Sequence, residues 1–209
     1  MRRIALLSLL GLALACAPRS SDVRQASSGG PRYFGDVTAP RGQVLTFTNG
    51  AEPEGIDPGK VSGQPDGRIV RALFEGLTTA DPKTLEPRPG QAYRWEISAD
   101  GRTYTFHLRP QLRWSDGTPV TAGDFVWSWT RVLRPETAGR NAGLLYPIDN
   151  AQEFNQGTLT DEKRLGLAAP DDSTFVVRLA APTSYFLFLC QYYTFCPVPR
   201  RVVEKFGPR

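Results

Sequence analysis

The sequence predicts a mixed α/β fold, and three observations carry that prediction. Two stretches on either side of Asp100-Gly101 alternate apolar and polar residues with a period of two, as a half-buried β-hairpin does. Two others, at residues 66–77 and 121–134, space apolar residues three and four apart, as amphipathic helices do. Strands and helices intermix with no regular β-α-β rhythm, which excludes a doubly wound parallel sheet.

Taken in order, the first element is a strand over residues 42–48, where Val44, Thr46, Phe47 and Thr48 lie between Gly42 and Asn49-Gly50. A loop rich in Pro and Gly leads to a helix with Asp66 as its N-cap. That helix presents Ile69, Val70, Leu73, Phe74 and Leu77 on one face and ends near Gly76. In the hairpin, Tyr93, Trp95 and Ile97 alternate up to the turn, and Tyr104, Phe106 and Leu108 alternate beyond it; Asp100-Gly101 suits the positive backbone angles of a tight primed turn. A second helix starts at Thr121, which forms a capping box with Asp124. Phe125, Val126, Trp129, Val132 and Leu133 then line one face until Arg134-Pro135 stops it. Another strand spans residues 173–179, with Phe175, Val177 and Leu179 on one side, and a last helix runs from near Pro199 to Gly207. The aromatic residues between 185 and 195 read as core. Cys190 and Cys196, six apart, form either a disulfide or two packed thiols.

Composition narrows the function. Among 209 residues, 40% are hydrophobic and 20 Gly and 18 Pro are present, which describes a loop-rich globular chain and argues against a coiled coil or helical bundle. The net charge is only +4, and no basic run concentrates it, so nucleic acid is not a partner. One His, three Cys and no CxxC pair give no metal site; His107 reads as a satisfied strand residue between Phe106 and Leu108. Glu52, Glu54 and Asp57 sit in a Gly- and Pro-rich loop without the fixed separation that glycoside hydrolysis demands, and no GxSxG elbow or phosphate loop exists. Neither catalysis nor a cofactor is expected.

Residues 1–15 read as an export signal: Met1-Arg2-Arg3 is basic, residues 4–14 are apolar apart from Ser8 and Gly11, and Ala13-Leu14-Ala15 precedes Cys16. The apolar stretch is about half the roughly 20 residues a membrane span needs. Its removal takes Arg2 and Arg3 away, so the charge falls from +4 to +2. Cys16 resembles the lipidated Cys of a bacterial lipobox, although Ala13 stands where a branched apolar residue is usual; ordinary cleavage after Ala15 is the alternative. Residues 16–40, rich in Ser, Gly, Arg and Pro, form a flexible tether to the body at 41–209.

One string in that body is highly specific. It runs Asp100-Gly101-Arg102-Thr103-Tyr104-Thr105-Phe106-His107-Leu108-Arg109, then Trp114-Ser115-Asp116-Gly117-Thr118-Pro119-Val120-Thr121-Ala122, Asp124-Phe125-Val126 and Ser128-Trp129. It resembles the family 5 extracytoplasmic solute-binding proteins that serve peptide and nickel ABC transporters, in their oligopeptide-binding branch. Leu73-Phe74-Glu75-Gly76-Leu77, Ala169-Pro170-Asp171-Asp172 and Glu204-Lys205-Phe206-Gly207 extend the likeness over nearly all of residues 44–207.

The resemblance implies a periplasmic-binding-protein-like N-terminal lobe of type II, cluster C-like, with residues 66–160 a subdomain inserted between 41–65 and 165–209. Family members are much longer, so it also implies an incomplete lobe whose facing half of the cleft is missing. The implied function is the substrate-binding component of an ABC importer: it captures oligopeptides and delivers them to a permease, with ATP hydrolysed by separate subunits. Lipid at Cys16 would hold it in the cell envelope, in the periplasm or at the outer face of the cytoplasmic membrane. The alternatives are a receptor for another solute, such as a nickel chelate, or an envelope lipoprotein with a protein-interaction role.

By the same resemblance, the segment after Ile56-Asp57-Pro58-Gly59-Lys60 pairs with the peptide backbone. That places Ser62, Gly63 and Gln64 on the cleft, with Gly63 allowing close approach. Without it, Ser62-Gly63-Gln64-Pro65 reads as a surface turn. Asn141 is a further implied ligand position. Better-known members carry an acid where Ser62 stands and an aromatic residue where Asn141 stands; both departures remove features that could touch a peptide, so the resemblance does not fix the ligand preference here.

Overall fold

The computed structural model describes residues 46–207. The export signal, Cys16, the tether and the first four residues of the strand predicted at 42–48 lie outside the described residues. Its last three, 46–48, form no strand: Phe47 is 56% exposed, and no described segment supplies the ladder partner a strand requires.

The first helix, α1 (Gln64–Leu73), begins and ends earlier than the periodicity predicts. Gly63 is the N-cap, and Pro65 occupies the first turn, where a missing N–H costs nothing and its fixed φ suits the helix. Asp66 lies inside that turn, 3% exposed, and its carboxylate accepts the Gly55 N–H at 3.2 Å. The helix stops at Phe74, because the chain there turns toward Cys190: a Cβ on Gly76 would stand 2.6 Å from the Cys190 carbonyl oxygen. Of the predicted apolar face Val70 is fully buried, Leu73 is exposed, and Leu77 reaches the core from a loop.

Strands β1 (Thr78–Ala80) and β2 (Pro87–Pro89) form a small antiparallel pair. The main sheet contains β3 (Ala92–Ile97), β4 (Thr103–Leu108), β5 (Leu167–Asp171) and β6 (Thr174–Arg178), all antiparallel, in the order β3-β4-β6-β5. Tyr104, Phe106 and Leu108 are buried, as their alternation predicts. The alternation of β3 is broken by a bulge between Ala92 and Arg94, so Ala92 and Trp95 share the core face while Tyr93 lies near His107 on the other. The connection is also longer than a two-residue primed turn. It spans residues 98–102, and only Gly101 has positive φ, at 67°.

Helix α2 (Ala122–Leu133) begins with the predicted box: the Asp124 carboxylate accepts from the Thr121 backbone N–H at 2.8 Å and from its hydroxyl at 3.1 Å. Its apolar face covers the sheet. Phe125 stacks on Phe175 at 5.6 Å, and Trp129 meets Phe175 and Phe195 edge-on at 4.9 and 5.0 Å while its Nε1 donates to the Phe195 carbonyl. Helices α3 (Ala151–Asn155), α4 (Phe186–Leu189) and α5 (Arg200–Phe206) complete the element order, α5 starting after Pro199 and ending at Gly207 as predicted. The aromatic run divides: Phe186 and Phe195 are fully buried, but Tyr185 and Phe188 are exposed. Cys190 and Cys196 are free thiols. They sit in separate apolar clusters, and burial pushes Cys190 well above the ordinary thiol range and Cys196 up to about 12. From Phe47 onward the chain is one compact unit, and no helix among the described residues is long and apolar enough to cross a membrane.

Candidate functional site

The loop ahead of α1 is built from its carboxylate outward. Asp57 accepts from Arg131 through both carboxylate oxygens, at 3.1 and 2.5 Å, and Arg131 is 6% exposed at the buried end of α2. Asp57 Oδ1 also accepts the Gly59 N–H at 3.0 Å, and its carbonyl accepts the Val61 N–H at 3.2 Å. Gly59 is required there, since a Cβ would come within 2.9 Å of Val132 Cγ2. Val61 is buried beside Val70, Tyr193 and Cys196, and its carbonyl accepts from Asn141 Nδ2 at 3.1 Å.

Ser62 then emerges into solvent. Neither its N–H nor its C=O has a hydrogen-bond partner among the described residues. Gly63 follows as the N-cap. An added Cβ would lie 2.3 Å from Asp66 Oδ2, so the folded chain already requires glycine here, apart from any approaching ligand.

Ser62, Gly63 and Gln64 come together on one wall of a concavity of about 410 Å³, faced by Arg68, Arg71, Tyr192 and Tyr193. A second concavity of about 530 Å³ adjoins it and shares Arg71, Tyr192 and Tyr193. The two tyrosine rings stack at 4.3 Å with their hydroxyls 3.1 Å apart. Burial, with the neighbouring Tyr192 hydroxyl, pushes the Tyr193 phenol up to about 12, so it stays neutral. The Arg71 guanidinium lies over both rings, 5.6 and 5.9 Å from their centroids.

Asn141 is not on the wall. It stands one layer behind, between the Val61 carbonyl and the Tyr193 hydroxyl, the latter 3.5 Å from its Nδ2. Sequence reasoning missed Arg71, Tyr192 and Tyr193: the first belongs to the exposed side of a helix, and the tyrosines belong to a run read as core. No group of His, Cys, Asp and Glu able to hold a metal exists among the described residues, and His107 Nε2 lies 3.4 Å from Glu96 on the sheet. What the wall offers is open main-chain donors and acceptors, two guanidinium groups and an aromatic platform, a chemistry of binding.

The family model for bacterial extracellular solute-binding proteins, family 5 Middle, matches residues 86–207. Over 171 residues the chain is 44% identical to the periplasmic oligopeptide-binding protein OppA of Salmonella typhimurium, covering 80% of this chain and 31% of that protein. It is 41% identical over 187 residues to the probable deoxycholate-binding periplasmic protein YgiS of Escherichia coli, covering 86% and 34%. The crystal structure of Haemophilus influenzae OppA in complex with the peptide RPPGFSPFR superimposes with a TM-score of 0.72 at 42% identity, over 76% of this chain and 31% of that one. The chain thus spans about a third of the length of these relatives.

Proposed function

The chain belongs to the bacterial extracellular solute-binding proteins of family 5, and we propose that it is part of the substrate-binding component of an ABC importer, one that captures oligopeptides and hands them to a membrane permease. The observation that carries this reading is the unpaired backbone of Ser62, held out by a fixed loop at the edge of a wide concavity. An extended peptide lying there as an added strand gains main-chain hydrogen bonds whatever its sequence, while its side chains enter roomy, wet space. Similarity to OppA proteins supports the peptide as ligand. The protein binds and releases without catalysis, and ATP hydrolysis belongs to separate subunits. It is exported by residues 1–15 and held at the outer face of a membrane by lipid on Cys16, with 16–40 as the tether.

Tryptophan fluorescence titration of the full-length protein with mixed short peptides is the test. A saturable change is expected. No response to peptides, together with saturable binding of deoxycholate or a nickel chelate, would replace the peptide by another solute; likeness to YgiS is the observation that favours this second reading.

A further inference from the structure

We propose that Arg71 is a specificity-determining residue of this concavity and that it selects ligands carrying a carboxylate, from an acidic side chain or from the peptide's own C-terminus. The inference rests on the peptide reading above and adds the chemical class of peptide.

The starting point is an uncommitted charge. Between Arg68 and Arg201, nearly every described arginine donates to an oxygen: Arg68 to the Asn49 carbonyl, Arg109 to Glu75, Arg131 to Asp57, Arg178 to Asp149. Arg71 and Arg164 have no such acceptor among the described residues. Arg164 is remote from the concavities, whereas Arg71 lies on the wall that both share.

The surroundings leave that charge unbalanced. The smaller concavity is lined by two arginines and no carboxylate. Asp66, on the same helix, is buried and directed to the Gly55 N–H, and Glu75, in the larger concavity, is paired with Arg109. A ligand anion there meets positive charge without a competing acid.

The guanidinium is also positioned. Val61, Asn141, Tyr193 and Tyr192 form a hydrogen-bonded relay that fixes the two rings, and the rings hold Arg71 by their faces. A guanidinium packed on aromatic faces keeps its N–H edge for an in-plane acceptor, which suits the bidentate geometry of a carboxylate. Its location in the last turn of α1 also favours the helix C-terminus, but that role affects stability and leaves ligand selectivity unchanged.

The experiment is calorimetric titration of the full-length protein with matched peptides that differ only as Glu against Gln at one position, and as C-terminal acid against amide. Wild type should prefer the carboxylate form in one of the two series by about tenfold or more. Arg71→Gln should shrink that preference to within about twofold. Arg164→Gln should keep it, because that guanidinium also lacks an acceptor among the described residues but lies outside both concavities. The series that responds identifies the source of the carboxylate. Peptide binding without such a preference in wild type, or a preference that survives Arg71→Gln, overturns the role of Arg71 and leaves the peptide reading standing. Absence of binding by every peptide overturns both. Should Arg71→Gln fail to fold, Arg71→Lys is titrated in its place: it keeps the charge but loses the planar fork, and a preference undiminished in it overturns the role of Arg71.

Discussion

The Asp57 carboxylate holds both Arg131 nitrogens and the Gly59 N–H together, and through them it sets the position of Ser62. Replacing Arg131 by Met would keep the stem packed in α2 and strand the carboxylate. Breaking a buried pair costs 3–5 kcal/mol, but the Asp57 side chain keeps 28% of its exposure, so a loss of about 2 kcal/mol is expected. Peptide affinity should fall as well, because the loop loses its anchor; urea unfolding and titration of the same Arg131→Met sample check the two effects. The loop proposed to meet the peptide was legible only through the motif around Ile56-Asp57-Pro58. Nothing local distinguishes Ser62-Gly63-Gln64-Pro65 from a surface turn, and the structural reason for Gly63 is a contact with Asp66 that no spacing rule supplies. Arg71 and the two tyrosines meet across about 120 positions of sequence, so their proximity is a product of packing alone.

Elements with a complete local signal formed where periodicity and capping agreed. Helix α2 has the Thr121–Asp124 box, an apolar face and a terminating Pro135, and all three are realised. Strand β5, Leu-Ala-Ala-Pro-Asp, carries no β-branched or aromatic residue and includes Pro170, so it gave no strand signal. It exists because an edge position tolerates a residue without an N–H, and β6 supplies its partner. Tyr93 was misplaced for a related reason: a bulge inserts one residue and reverses the faces, which a period-two pattern does not reveal. The packing of α2 on β6 depends on Phe175, fully buried and in contact with Phe106, Phe125 and Trp129. Phe175→Ala should therefore cost about 3–5 kcal/mol, read as a lower denaturation midpoint, with a weaker near-ultraviolet signal from Trp129.

At the scale of the molecule, β4 pairs with β6 across some seventy residues, and this long-range ladder closes the unit from Phe47 onward. The concavity, built from residues 62–71 and 192–193, lies wholly inside it. Membrane attachment and ligand capture should accordingly be separable. The anchor proposed at Cys16 and the tether proposed over residues 16–40 belong to the chain before that unit. Each buried CH₂ of an acyl chain contributes about 0.8 kcal/mol, so a Cys16 bearing more than one chain stays with the membrane, whereas the same tether ending in Ser has nothing to hold it. Fractionation of cells expressing wild type and Cys16→Ser is the measurement, with mass analysis of the mature N-terminus alongside. Wild type is expected in the membrane fraction with a lipid-increased mass, and Cys16→Ser in the soluble fraction with unchanged peptide affinity. An unmodified Cys16 in soluble wild-type protein would establish ordinary cleavage after Ala15, and a Cys16→Ser protein that remained on the membrane would place the anchor elsewhere.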